Sequence, residues 1–203
     1  NPNSGKTTLF NAFTKLRQKV GNYAGVTVEK KMGTLVLAKD RVINVIDLPG
    51  TYSLSVRSPD EKVARDVLLG KAVDTQMPDM VVCVVDAGNL ERNLYLVSQI
   101  QDLGLPMIVA LNMMDELEAK GRVIDVEKLS KKLGVPVVPT IGNQNKGIEE
   151  LKELIAKGVA ANYKRAWKLS IELEEQLQAN VDSLIKEKGM SRTEAFCEAL
   201  ILL

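Results

Sequence analysis

Histidine is absent from this chain of 203 residues, and cysteine and aromatic residues are scarce. The lack of histidine removes the commonest general base, so any catalysis has to rely on other groups. It also removes the commonest metal ligand, and we expect no tight iron site within these residues. The two cysteines, Cys83 and Cys197, lie far apart. This spacing argues against a disulfide framework and favours buried thiols in a reducing compartment.

Strong net charge and long apolar runs are missing as well. The net charge of +1 provides no basic surface for nucleic acid, so we predict no nucleic-acid partner. The longest apolar stretches, such as residues 80–85, have the length of a strand. We therefore predict neither a signal peptide nor a membrane span in this sequence. The proportions of hydrophobic residues (45%) and charged residues (26%) are ordinary for a globular protein.

Short apolar runs alternate with helical patterns through most of the chain. Residues 80–85, 106–111 and 135–138 have the composition of buried strands, and two β-rich runs at 33–38 and 42–46 precede them. This alternation predicts an α/β fold with a mostly parallel sheet and helices on both faces. In such sheets ligands bind beyond the carboxyl ends of the strands, and the motifs described next fall there.

The pattern changes near Asn162, where apolar residues repeat at helical spacing to the end of the sequence. We predict two domains. An α/β domain covers residues 1–160 and lacks its first strand, and a partial, small all-helical domain covers residues 161–203. The last helical pattern stops on Ile-Leu-Leu, so we expect more helix to follow in the natural protein.

The chain opens on a phosphate-loop motif. Gly5, Lys6 and Thr7 match its last three positions, and its first glycine and the preceding strand would lie before Asn1. Backbone N–H groups at a helix start bind phosphate oxygens. Lys6 would neutralise β- and γ-phosphate charge, and Thr7 would offer its hydroxyl to Mg²⁺. Alone, the motif is also compatible with an ordinary helix start. We predict nucleotide contacts from Asn1, Pro2, Asn3, Ser4, Gly5, Lys6, Thr7 and Thr8.

Two further positions fit the γ-phosphate side of such a site. Asp47 ends a β-rich run, where a carboxylate can hold Mg²⁺, and the N–H of Gly50 can reach the γ-phosphate. The Asp-x-x-Gly pattern is often only a turn, but its place after a strand and a phosphate loop favours the nucleotide role. Thr27, in the predicted mobile loop 21–28, is placed to ligate Mg²⁺ only when GTP is bound, as a switch. Taken alone, a single loop threonine is more often structural.

The third group of residues would recognise the base. Asp115 can accept hydrogen bonds from guanine N1–H and the 2-amino group, which adenine does not supply. Asn112 would tie its segment to neighbouring loops, and Met113 takes the place of the usual lysine and can cover the base face. Asn-x-x-Asp alone is a weak pattern. We also predict a backbone contact to guanine from Ile141, Gly142 and Asn143, where GTPases commonly have a Ser-Ala pair.

Taken together, these motifs occur in the order and strand-end context of a P-loop, Ras-like GTPase. Their sequences resemble those of the G domain of the FeoB ferrous-iron transporters over roughly residues 1–154. The segments that carry the resemblance are NPNSGKTTLFNA, GNYAGVTVEKK, DLPGTYSL, SPDEKVARD, NLERNLYL and ALNMMD. The helical tail fits the helical domain of that family by position and helicity only.

The resemblance implies slow, Mg²⁺-dependent GTP hydrolysis that K⁺ stimulates. Asn3 would bind K⁺ through its side chain, and Gly21 and Tyr23 would add backbone carbonyls. K⁺ would then stabilise transition-state charge in place of an arginine finger. Tyr23 could instead be a surface aromatic without contacts. The catalytic residues would be Asn3, Lys6, Thr27 and Gly50.

The resemblance also implies a place for the chain in a larger protein. GTP and GDP would switch residues 21–29 and 47–57, and this switch would regulate or drive Fe²⁺ uptake by a C-terminal membrane domain of the same polypeptide. The chain would then lie at the cytoplasmic face of the inner membrane of a prokaryote, with its oligomeric state open. Two alternatives remain: a soluble ribosome-assembly GTPase of the Era type, and a module that binds nucleotide without hydrolysis.

Overall fold

A computed structural model describes residues 1–15, 18–37, 41–160 and 167–202 of the chain. Two three-stranded sheets carry helices around them, and a pair of helices follows. A hairpin turn predicted at residues 39–40 lies outside the described residues. In chain order the elements are α1 (Lys6–Thr14), β1 (Gln18–Asn22), β2 (Glu29–Val36), β3 (Val42–Asp47), α2 (Pro59–Leu68), β4 (Val81–Asp86), α3 (Leu90–Asp102), β5 (Met107–Asn112), α4 (Met114–Ala119), α5 (Val126–Leu133), β6 (Val137–Pro139), α6 (Ile148–Lys157), α7 (Ile171–Lys188) and α8 (Arg192–Leu202).

The sheet β4–β5–β6 is parallel and buried on both faces. Every residue of the central strand β5 is buried. Met107, Val109 and Leu111 contribute to one apolar core, and Ile108 and Ala110 face a second core on the other side. A strand covered on both faces needs a continuous apolar run rather than an alternating one, which is why this segment was recognisable in the sequence. The predicted parallel sheet with flanking helices is confirmed.

The strands β1, β2 and β3 form a separate antiparallel sheet. We predicted β2 and β3 as β-rich runs but missed β1. The prediction of a loop beginning at Gly21 was wrong, because Gly21 and Asn22 pair with Lys30 and Glu29 at the end of β1. The loop therefore begins at Tyr23. Polar and glycine residues hid this strand, since four of its five residues are exposed and carry no apolar face.

Helix ends follow the capping chemistry of the sequence. The Ser58 side chain accepts a hydrogen bond from the Glu61 N–H at the start of α2, and Pro59 is its first residue. The Asp125 side chain accepts a hydrogen bond from the Lys128 N–H at the start of α5. Gly134 ends that helix with φ of 70°, a conformation that favours glycine.

The two last helices pack on each other through their own apolar core, which contains Leu177, Val181 and Leu184 of α7. Their charged residues reach the α/β part of the chain. Glu198 of α8 pairs with Lys71 at 3.2 Å and lies 3.9 Å from Arg65 of α2. Within the described ranges, no helix has the length and apolar character needed to cross a bilayer.

Candidate functional site

A cavity of about 370 Å³ lies where α1 begins and β3 ends. Its walls come from the phosphate loop, the segment after β3 and the start of α2. Five of the residues predicted from sequence to contact nucleotide or metal meet here. They are Pro2, Lys6, Thr7, Asp47 and Gly50.

The phosphate loop is held in a shape that only glycine permits at its fifth position. Gly5 has φ of 79°, and a Cβ atom there would overlap Nδ2 of Asn112. The Ser4 hydroxyl donates to the Asn1 carbonyl at 2.8 Å, and Asn1 Nδ2 donates to the Val84 carbonyl at 2.9 Å. These bonds join the loop to the end of β4 and leave the start of α1 facing the cavity, as phosphate binding at a helix N-terminus requires.

Lys6 and Asp47 form an ion pair inside the cavity. Asp47 is buried, so its carboxylate needs a compensating positive charge, which the Lys6 ammonium supplies here. Thr7 brings a hydroxyl to the same cavity. A carboxylate and a hydroxyl are the hard oxygen donors that Mg²⁺ prefers, so the residues present fit the predicted metal.

Gly50 brings the segment after β3 against the phosphate loop. A Cβ atom at Gly50 would lie 3.1 Å from the Cα of Pro2. Real Cβ atoms rarely approach backbone that closely, so the absence of a side chain sets this distance. The backbone of Gly50 thereby lines the cavity beside Lys6, where the sequence placed a γ-phosphate contact.

The loop before β2 does not bring its predicted ligands to the cavity. Thr27 is exposed and lies outside the cavity wall. The carbonyl of Tyr23 accepts a hydrogen bond from the Val26 N–H at 3.3 Å, and the Tyr23 N–H donates to the Val28 carbonyl at 3.0 Å. Asn3 is exposed with φ of 55° and also lies outside the wall. In this arrangement Asn3 and the Tyr23 carbonyl do not reach the cavity, and K⁺ binding stays a prediction.

Tyr23 is not the surface aromatic that the sequence left open. Its side chain is 4% exposed and packs in a cluster with Val28, Val63 and Val67. Burial raises the pKa of its phenol to about 12, with smaller contributions from nearby carboxylates. The ring therefore connects the loop before β2 to helix α2.

Asn112 connects the phosphate loop to the other predicted base-binding loop. This side chain is 3% exposed. Its Nδ2 donates to the Ser4 carbonyl at 2.9 Å, while its Oδ1 accepts from the Thr140 hydroxyl at 3.1 Å and the Gly142 N–H at 3.0 Å. The tie that we predicted for Asn112 is thus made by three hydrogen bonds, which hold three segments in a fixed relation.

The remaining base-site residues lie around this junction. Met113 has φ of 63° and lies directly before α4, and its Cε lies 3.8 Å from the position a Gly5 Cβ would take. Asp115 is half-buried in the first turn of α4. Ile141 exchanges backbone hydrogen bonds with Lys146, and this closes a short turn that contains the exposed Asn143. A carboxylate, a thioether and a closed backbone turn thus follow the carboxyl ends of β5 and β6.

Sequence reasoning missed several cavity residues. Ser58 and Glu61 line the wall, and the Glu61 carboxylate accepts from the Arg57 N–H at 2.9 Å. The Ser-x-x-Glu spacing of a helix start was a readable signal for them. Lys31 also lines the wall and pairs with Glu29 at 3.0 Å. The segment GNYAGVTVEKK ends at this lysine, but the sequence assigned it no role, because its position at the cavity depends on the register of β2.

Comparison with known proteins agrees with this geometry. The family described as Ferrous iron transport protein B matches residues 1–155. The Fe(2+) transporter FeoB of Salmonella typhimurium is 53% identical over 157 residues, which cover 75% of this chain and 19% of that protein. A Porphyromonas gingivalis Fe(2+) transport protein A/Fe(2+) transporter FeoB fusion protein is 51% identical over 151 residues, or 74% and 17% of the two chains. The chain thus spans less than a fifth of the length of these relatives.

Solved structures extend the similarity over the whole chain. The cytosolic domain of L. pneumophila FeoB is 42% identical with a TM-score of 0.90, and the match covers 100% of this chain and 84% of that one. The cytosolic domain of the T. maritima FeoB iron transporter in its GMPPNP form is 40% identical with a TM-score of 0.81, covering 98% and 76%. The chain therefore belongs to the ferrous iron transport protein B family and corresponds to its N-terminal, P-loop GTPase region.

Proposed function

We propose that this chain binds guanine nucleotide and hydrolyses GTP in the presence of Mg²⁺. The observation that carries the proposal is the Asn112 junction, which fixes the phosphate loop against the loop around Gly142 beside a polar cavity. A nucleotide spanning both sites would contact protein at its phosphates and at its base. The T. maritima relative, solved in a GMPPNP form, supports this reading.

The phosphate end assigns roles to the residues that line the cavity. Lys6 would exchange its Asp47 partner for the β- and γ-phosphates, and Asp47 and Thr7 would then hold Mg²⁺. The Gly50 N–H would contact the γ-phosphate. When bound, Mg²⁺ would neutralise charge on the phosphate oxygens. No histidine is present, so catalysis has to rest on positioning and electrostatic stabilisation.

At the base end, Asp115 is the residue proposed to select guanine. Met113 would lie along the base face, and backbone groups of Ile141, Gly142 and Asn143 would lie near guanine O6.

The role of Asp115 can be tested by replacing its hydrogen-bond-accepting carboxylate with an amide, which can also donate. Asp115→Asn should weaken GDP binding by about 100-fold and favour xanthosine diphosphate, because the new amide can donate where the xanthine ring carries a carbonyl. Asp125→Asn, a cap of α5 outside the site, is the matched control. Unchanged GDP affinity in Asp115→Asn would refute the assignment.

Stimulation by K⁺ remains a proposal that rests on the family resemblance. Asn3, Gly21 and Tyr23 are the proposed ligands, and the Tyr23 carbonyl would first have to leave the Val26 N–H. The measurement is the hydrolysis rate in K⁺ and in Na⁺ for the wild type and for Asn3→Ala. Equal rates in both salts would remove Asn3 from the mechanism.

For the whole protein, we propose that residues 1–160 form the G domain and residues 161–203 form part of a helical domain that connects to a membrane domain. The nucleotide state would regulate or drive Fe²⁺ transport at the cytoplasmic face of a prokaryotic inner membrane. Glu198 supports a route for this coupling, because it pairs with Lys71 and approaches Arg65 of α2. Helix α2 begins beside the cavity, so one rigid element touches both sites.

This route can be tested in the full-length transporter. Glu198→Lys places like charges together and should reduce the dependence of iron uptake on nucleotide. The double variant Glu198→Lys with Lys71→Glu restores an opposite pair and should recover the dependence, while Glu175→Lys on an exposed part of α7 serves as the control. Deletion of residues 162–203 should uncouple uptake from nucleotide. Normal nucleotide-dependent uptake after that deletion would contradict the coupling proposal.

A further inference from the structure

Lys30 is a buried lysine at the start of β2 and has no role in the site described above. Its ammonium group donates to the Asp74 carbonyl at 2.8 Å, to Asp74 Oδ2 at 3.0 Å and to the Thr75 hydroxyl at 2.7 Å. These hydrogen bonds compensate the charge of Lys30, a residue that is only 9% exposed. This lysine thus ties β2 to the segment that follows α2.

The same ammonium also lies 5.3 Å from the centre of the Tyr23 ring, within the range of a cation–π contact. The ring is enclosed by Val28 of its own loop and by Val63 and Val67 of α2. Lys30 and helix α2 therefore both contribute to the pocket that holds the Tyr23 ring.

This packing fixes the backbone of the loop. The Tyr23 N–H donates a hydrogen bond to the Val28 carbonyl, and the Val26 N–H donates one to the Tyr23 carbonyl. The closed turn keeps Thr27 exposed to solvent and away from the cavity. A buried Tyr23 side chain and ligation by the Tyr23 carbonyl or by Thr27 therefore belong to different arrangements of the loop.

The phenol oxygen of Tyr23 destabilises the closed arrangement of the loop. It is buried, and among the residues that the structure describes it has no hydrogen-bond partner. A buried hydroxyl without a partner loses its hydration, and it would regain it if the loop opened. The closed arrangement is consequently less stable than the apolar packing alone would make it.

We propose that Lys30 is a positioning residue that, together with the Tyr23 ring, latches residues 23–28 closed against α2, and that GTP but not GDP has to release this latch. The inference rests on the proposed function, because the γ-phosphate is the group that requires Thr27. A ligand that binds only the released state has its apparent affinity reduced by the fraction of molecules in that state. The latch therefore lowers affinity for GTP and leaves affinity for GDP unchanged.

The measurement is the ratio of GMPPNP affinity to GDP affinity, taken on the full-length protein with Mg²⁺. Lys30→Met removes the ammonium from the face of the Tyr23 ring and should raise the ratio by about fivefold, since this cation–π contact is made only in the latched state. Asp74→Asn, at an exposed carboxylate, should raise the ratio less and should leave folding intact. Lys19→Met, at an exposed lysine of β1, is the matched control and should leave the ratio unchanged.

Two substitutions of Tyr23 make opposite predictions. Tyr23→Phe keeps the ring and removes the unpartnered hydroxyl, so the latch becomes more stable and the ratio falls. Tyr23→Ala removes the ring and should raise the ratio. A Lys30→Met ratio equal to that of Lys19→Met, or a rise in Tyr23→Phe, overturns the latch.

A second readout separates the latch from the proposed function. Hydrogen exchange of residues 23–28 is measured without nucleotide, and Lys30→Met should exchange faster than Lys19→Met. If the wild type binds no guanine nucleotide, the proposed function fails while this comparison still decides whether Lys30 positions the loop. Equal exchange in the two variants overturns that positioning role.

Discussion

Replacement of Asn112 by alanine tests how the phosphate loop and the base loop are held together. The substitution leaves three buried groups without partners: the Ser4 carbonyl, the Thr140 hydroxyl and the Gly142 N–H. An unsatisfied buried polar group costs about 1–3 kcal/mol. We therefore expect a loss of about 3 kcal/mol or more in the free energy of unfolding. Since domains are stable by only about 5–15 kcal/mol, urea denaturation followed by circular dichroism will resolve the change.

The same substitution should damage nucleotide binding more than stability alone predicts. Without Asn112 the two loops no longer share a fixed position, so the binding-competent arrangement becomes a minor state. We expect GDP affinity to fall by about 100-fold, measured with a fluorescent GDP analogue well below the unfolding midpoint.

Asn93→Ala is the matched control for this experiment. Asn93 is also buried and also joins a strand end to a helix, through the Asp86 N–H and the Asn89 carbonyl. It should destabilise the fold by about 2 kcal/mol and leave GDP affinity close to that of the wild type. Equal losses of affinity in Asn93→Ala and Asn112→Ala, or unchanged stability in Asn112→Ala, would refute the reasoning.

Three further predictions follow from single residues. Gly5→Ala should abolish nucleotide binding because its Cβ would overlap Asn112, whereas Gly104→Ala, at a similar φ with open space around it, should only lower stability, by about 1 kcal/mol on calorimetry. The Cys83 thiol should stay unreactive towards a thiol reagent in the folded protein of a Cys197→Ser variant and react on unfolding, and rapid native labelling would contradict its burial. Burial raises the pKa of Cys83 from 9.0 to about 11 and that of Tyr23 from 10.0 to about 12, so stability is full below pH 9 and falls as pH rises towards 12. Cys83→Ala and Tyr23→Phe should each flatten this loss in thermal melts, and an unchanged slope would contradict the assignment.

The parallel half of the fold was predictable because its strands are buried on both faces. The apolar runs that became β4 and β5 have no polar interruptions, and the helix from Val126 to Leu133 carries its cap and its terminal glycine in the sequence. The short helix α4 was missed because it is only six residues long and its first turn overlaps the Asn-x-x-Asp motif. Strand β1 was missed because its pairing comes from the partner strand β2 rather than from its own composition.

The candidate site was predictable to the extent that its residues sit in contiguous motifs at strand ends. Lys6, Asp47 and Asn112 lie where the motifs placed them. The burial of Tyr23 and the tether from Lys30 were not readable, because they depend on contacts with α2 and with residues 74–75 that are distant in sequence. Long-range packing of this kind leaves no local pattern.

The most direct test of the central claim is phosphate release from GTP by the full-length protein with Mg²⁺, for the wild type and for Lys6→Ala, with ATP as the competing substrate. We predict release from GTP and none above background from ATP, with the activity lost in Lys6→Ala. Equal release from GTP and ATP, or full activity in Lys6→Ala, would contradict the claim that this cavity is the site of a guanine-specific GTPase.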